Sequence, residues 1–137
     1  MNQRNTSISG TYEESLPSGG KLKIFKNSYE IHYYFPGPDM RHTGTLLTIP
    51  KELIEKYIDA FIKNWEEYEE LRKSIPSGGE FVKNGLLNMQ IRINGHFQGV
   101  CIKSYHMPIS TKEKINEIID DYRYAIIRAN EVQKKLF

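Results

Sequence analysis

Two near-identical loops, Ser15-Leu16-Pro17-Ser18-Gly19-Gly20 and Ser74-Ile75-Pro76-Ser77-Gly78-Gly79, are the first feature of this chain that could do chemistry. Successive backbone N–H groups in a glycine-rich turn can cradle an anion. Neither loop ends in the Gly-Lys-Ser/Thr of a phosphate-binding loop, and neither runs straight into a helix. Both precede strand-like segments, so a duplicated turn that needs glycine dihedrals is the simpler reading.

The better candidates are polar residues on the strands. Arg41 and Arg92 flank the second turn of each half of the chain, with Tyr34, His42, Gln90, His96 and Gln98 at corresponding places beside them. A guanidinium pairs with phosphate, and an aromatic face stacks on a base. These seven residues are the expected site for a small anionic or nucleotide-like ligand, weighed against an ordinary solvated sheet face. Pro36-Gly37-Pro38-Asp39-Met40 is the most irregular loop and suits a lid or contact role.

Other chemistry finds less support. His32, His42, His96 and His106 show no metal-binding spacing, so no metal or cofactor is expected, and each histidine reads as surface or partly exposed. Cys101, between Val100 and Ile102, reads as a small buried residue rather than a nucleophile. The paired acids Glu66-Glu67, Glu69-Glu70 and Asp120-Asp121 fall on helices, mostly on solvated faces. No catalytic motif is present, which points away from an enzyme.

The elements that must position these residues follow from periodicity. Lys21–Phe25, Tyr29–Phe35 and Met40–Thr48 read as strands, with Gly44 as a bulge. Pro50 opens a helix over 51–73, whose apolar residues from Leu53 to Leu71 recur every three or four positions. Glu52–Lys56 and Glu69–Lys73 are expected ion pairs along it. The second half repeats the plan: Glu80–Lys83, an Asn84-Gly85 turn, Leu87–Ile93, an Asn94-Gly95 turn, and His96–Tyr105. Ser110-Thr111-Lys112-Glu113 forms a capping box before a last helix whose buried face runs from Ile115 to Val132.

The expected fold is therefore α+β. Two similar β-β-β-α units, 15–73 and 74–137, arise by internal duplication, and residues 1–12 form a flexible arm or edge strand. One antiparallel sheet of about six strands would carry both helices on one face; two β3α units face to face are the alternative. The end of the first helix, Trp65 to Leu71, would project and favour a homodimer.

Bulk properties bound the function. The chain has 137 residues, fitting a single domain, with 19 basic and 17 acidic residues for a net charge of +2. That balance makes nucleic acid an unlikely partner. One cysteine excludes an internal disulfide, and there is neither a signal-like apolar run nor a span of eighteen apolar residues. A cytoplasmic bacterial setting, phage-encoded included, suits the Lys-, Ile-, Asn-rich composition. The expectation is a non-enzymatic binding protein that sequesters a small anionic or nucleotide-like ligand or blocks a partner, as in phage counter-defence. An immunity protein that neutralises a toxin by direct binding and an unrecognised small enzyme are the alternatives.

Overall fold

The structure, a computed structural model, describes residues 10–34, 45–95, 98–102 and 108–137. Its elements are β1 (Tyr12–Ser15), β2 (Lys21–Ile24), β3 (Tyr29–Tyr34), β4 (Thr45–Pro50), α1 (Lys51–Ser74), β5 (Phe81–Asn84), β6 (Met89–Ile93), β7 (Gly99–Ile102), β8 (Pro108–Ile109) and α2 (Lys112–Leu136). The fold is α+β with two antiparallel sheets of four strands, ordered β1-β2-β3-β4 and β5-β6-β7-β8.

The expected single sheet of about six strands is thus corrected to two sheets of four. The matched triplets β2–β3–β4 and β5–β6–β7 do not join edge to edge. Each takes a fourth strand of its own, β1 ahead of the first triplet and β8 behind the second. β1 escapes a pattern reading because Tyr12-Glu13-Glu14-Ser15 carries no aliphatic residue. Tyr12 pairs with Ile24 and Glu14 with Leu22, so two polar side chains lie on the core face of that sheet.

The chain gathers into two compact units that cut across the sequence units. One holds residues 1–55 and 120–137, and the other holds 56–119. In the first, Leu22, Ile24, Ile31, Tyr33 and Ile49 share the inner face of the sheet, and Tyr122, Ala125, Ala129 and Val132 of α2 are buried with them. In the second, Met89, Ile91, Ile93, Val100, Ile102 and Ile109 form the inner face, buried together with Tyr57, Phe61, Trp65 and Tyr68 of α1. Each fully buried Ile or Phe contributes about 2 kcal/mol relative to exposure, so these stripes, rather than helix propensity, hold the helices.

Several local expectations change. Trp65 and Tyr68 are 2% and 0% exposed, so the end of α1 does not offer them to a second protomer. Lys73 pairs with Glu70 at 3.6 Å, while Glu69 accepts the Trp65 indole N–H at 2.9 Å. Thr111, not Ser110, caps α2: its hydroxyl accepts from the Lys114 N–H at 3.1 Å, while Ser110 donates to the Gln98 carbonyl. The irregularity in the first sheet falls where Tyr33 pairs with Leu47 and Tyr34 with Thr45, so the extra residue is Leu46, two past Gly44. Gly44 and the 36–40 turn lie outside the described residues.

Candidate functional site

Strand alternation sets the outer face of the first sheet. Lys21, Lys23, Glu30, His32, Tyr34 and Thr48 all point there, opposite the core. His32, expected at the surface, is only 7% exposed. One of its ring nitrogens, Nε2, meets Glu30 Oε1 at 2.7 Å, and Nδ1 lies 3.5 Å from Thr48 Oγ1. Its ring stacks on Tyr34 at 6.0 Å between centroids, and Lys21 and Lys23 stand over the Tyr34 ring at 6.0 and 5.9 Å. Tyr34 raises the Lys23 pKa further, against the effect of burial. Hydroxyl, imidazole and carboxylate thus stand in the order a nucleophile would need. At 3.5 Å, however, the outer link exceeds the roughly 2.6–3.2 Å over which a base takes a proton. Glu13 also draws both lysines, at 3.9 and 3.8 Å, which leaves this face largely self-neutralised.

The first glycine loop does hold an anion, and that anion belongs to the protein. Gly19 and Gly20 adopt φ of 115° and 87°, which closes a hairpin between β1 and β2. The Gly19 N–H donates to the Leu16 carbonyl at 3.0 Å. The Ser18 N–H and hydroxyl both donate to one oxygen of Asp121, the N–H at 2.8 Å. On the same unit, Glu14 receives Tyr124, Arg128 (2.8 Å) and Tyr12 (2.9 Å). Burial alone would raise the Glu14 carboxyl, but these donors outweigh it and hold the carboxyl below its usual range. The same contact pushes the Tyr124 phenol up to about 12.

The second loop has a different fate. It joins α1 to β5, and Gly78 and Gly79 are not among the positive-φ glycines. It cradles no anion among the described residues; the Asn94 side chain donates to the Pro76 and Gly79 carbonyls at 2.9 and 2.7 Å.

The outer face of the second sheet brings Gln90, Arg92 and Cys101 together, since Gln90 pairs with Cys101 and Arg92 with Gly99. Arg92 Nη2 donates to Gln90 Oε1 at 3.2 Å, while Arg92 Nε is buried and has no hydrogen-bond partner among the described residues. Cys101 is 4% exposed; burial pushes its thiol up, and the nearby Arg92 charge opposes that only in part. The thiol is therefore buried and held toward its protonated form.

Of the seven expected site residues, the structure brings Gln90 and Arg92 into contact. Gln98 is used instead by the Asn94 turn, where its Oε1 accepts the Asn94 N–H at 3.0 Å. Tyr34 belongs to the Lys21–Lys23–His32 cluster of the first unit. Arg41, His42 and His96 lie outside the described residues. Among the described residues no group of three or more His, Cys, Asp or Glu is placed to hold a metal, and no helix is long and apolar enough to cross a membrane.

Two polar residues that sequence reasoning missed are buried on the helices, Asn64 at 1% and Asp121 at 8% exposure. A signal existed for both. Asn64 falls three residues after Phe61 and four before Tyr68, and Asp121 three after Ile118 and four before Ala125, so each interrupts an apolar stripe. Asn64 accepts the Leu86 N–H at 2.9 Å and donates to the Leu86 carbonyl at 3.2 Å. Comparison with protein-family models, with curated proteins and with solved structures returns no match for this chain.

Proposed function

We propose that the chain is a non-enzymatic binding protein that holds a small anionic, nucleotide-like ligand on the outer face of its second sheet, with Arg92 as the anchor. The observation that carries this reading is the buried Arg92 Nε, which meets no acceptor among the described residues. A buried N–H without an acceptor costs about 1–3 kcal/mol. A phosphate or carboxylate oxygen brought to that edge of the guanidinium removes the cost and adds a charge-assisted bond. Gln90, already in contact with Arg92, orients the fork and offers its own carboxamide to a ligand. The paired arrangement of two similar β-sheet cores, each followed by a long helix, is in keeping with a duplicated binding scaffold.

Binding without turnover suits the second sheet, where the one thiol is held protonated by burial. The test is a thermal-shift series with inorganic phosphate and with nucleoside mono- and triphosphates. The expected result is a rise in melting temperature for one of these ligands that Arg92→Ala abolishes and Arg92→Lys weakens, because a lysine cannot reproduce the planar fork. An undiminished rise in Arg92→Ala would sink the assignment.

A further inference from the structure

The β5–β6 connection is built to keep two leucines in water. Leu86 and Leu87 are 49% and 47% exposed, and Leu87 holds φ of 55°, a left-handed conformation that a bulky L-residue rarely takes. Asn64, itself 1% exposed, fixes this shape by reading both the N–H and the carbonyl of Leu86. A side chain at Gly85 would meet Asn64 Oδ1 at 2.6 Å, so the clamp also demands the glycine. The protein thus commits a buried carboxamide and a disfavoured backbone to a tip that leaves about half of each leucine in water. Backbone strain held by an over-determined shell is a mark of functional surface.

Beside the tip lies a groove of about 220 Å³, lined by Lys56, Asp59, Ala60 and Lys63 of α1 with Leu86 and Leu87. Ala60, Leu86 and Leu87 give it apolar lining, and Lys56, Lys63 and Asp59 bring two ammonium groups and one carboxylate. None of Lys56, Asp59 and Lys63 is in an ion pair among the described residues. We propose that this groove docks a protein segment that presents an apolar side chain flanked by carboxylates, with Leu86 and Leu87 gripping the apolar anchor and Lys56 and Lys63 meeting the acids. This surface is separate from the Arg92 edge and stands whether or not that reading holds.

The probe is a synthetic helical peptide with leucine along one stripe and glutamate on its flanks, followed by fluorescence anisotropy. Two controls replace the flanking glutamates by lysine or the leucines by alanine. The glutamate-flanked leucine peptide is expected to bind at least about tenfold tighter than either control, and to weaken severalfold as salt is raised. Leu87→Gly is the decisive variant. It relieves the left-handed backbone, so melting temperature holds or rises by about 3 °C, while peptide affinity falls at least about tenfold. Lys56→Ala with Lys63→Ala removes the salt dependence. Equal binding of the lysine-flanked peptide, no binding by any peptide, or full affinity in Leu87→Gly would each overturn the proposal. So would a dimer in sedimentation that Leu87→Gly abolishes, since the occupant would then be a second copy. An Arg92-dependent thermal shift that survives in Leu87→Gly separates the two sites.

Discussion

Asp121 on α2 and Asn64 on α1 do the same job with different chemistry. Each is the polar interruption of an apolar stripe, and each grips a loop of the sheet in its own compact unit. Asp121 faces donors only, the N–H and hydroxyl of Ser18, and a carboxylate with its acceptor-only inventory suits them. Asn64 faces one donor and one acceptor on Leu86, and only a carboxamide can satisfy both. The difference shows that a buried polar residue is selected by the lone pairs and protons it must match. Its charge is a consequence of that match.

Exchanging the two chemistries is the most severe way to break the comparison. Asn64→Asp sets a carboxylate against the Leu86 carbonyl in a site with almost no solvent, so it stays unpaired or takes up a proton. The expected loss is about 3–5 kcal/mol. Asp121→Asn keeps an acceptor for Ser18 and gives up only the charge assistance, for a loss of about 1 kcal/mol. Urea denaturation of both variants reads the asymmetry, and equal losses would show that burial alone, not donor–acceptor matching, sets the cost.

The two glycine loops extend the contrast. Gly20 has φ of 87°, and a Cβ there would stand 3.0 Å from the His32 carbonyl oxygen, whereas a Cβ on Gly79 meets nothing within 4 Å. Gly20→Ala is expected to cost about 2 kcal/mol through the left-handed backbone. Gly79→Ala is expected to stabilise by up to about 0.5–1 kcal/mol, because it restricts only the unfolded chain. Melting curves of the pair, opposite in sign within one repeated hexapeptide, would confirm that the loops share a sequence and not a conformation.

Much of the fold was legible for physical reasons. Period-two alternation marks β2, β3 and β6, and three- and four-residue spacing marks both helices, because burial enforces those periods. β1 was not legible, since it carries no aliphatic residue and the partners that match Glu14, Tyr124 and Arg128, lie more than a hundred residues away. The count of sheets was hidden for the same reason: pairing across an edge is non-local, and no periodicity reports it. At the candidate site, Arg92 and Gln90 were legible from strand alternation. The buried state of His32 was not, because it depends on what Glu30, Tyr34 and the cross-strand neighbours Lys21 and Thr48 do around it.

Titration sharpens the contrast between the two units, for the Glu14–Tyr124–Arg128 cluster belongs to the first alone. Tyr124 is raised to about 12 in the folded protein from an ordinary value of 10.0, so folding favours its neutral form. Its contribution is complete below pH 10 and is lost as pH rises through about 12. With Tyr124 41% exposed, solvent screening leaves about 1 kcal/mol. Glu14 has the opposite sign: its lowered carboxyl stabilises above its ordinary value of 4.5, and that is lost as pH falls through the folded value. Tyr124→Phe is expected to flatten the alkaline limb of the stability–pH curve, and an unchanged limb would remove the phenol from the account.

The smallest expected effect belongs to the serines of the two loops. Ser18 and Ser77 occupy the same place in the same hexapeptide, but only Ser18 has a helix carboxylate within reach. Ser18→Ala removes one donor to Asp121 and leaves the backbone N–H at 2.8 Å to hold it, so the loss is about 1 kcal/mol. Ser77 is exposed, and its hydroxyl meets nothing among the described residues. Ser77→Ala is therefore expected to stay within about 0.5 kcal/mol of the unmodified chain. In the double variant the two effects should add, since the loops fall in separate compact units and share no partner. A clear loss in Ser77→Ala alone would mean that the second loop carries a contact of its own, and the line drawn between a working loop and a connecting one would have to move.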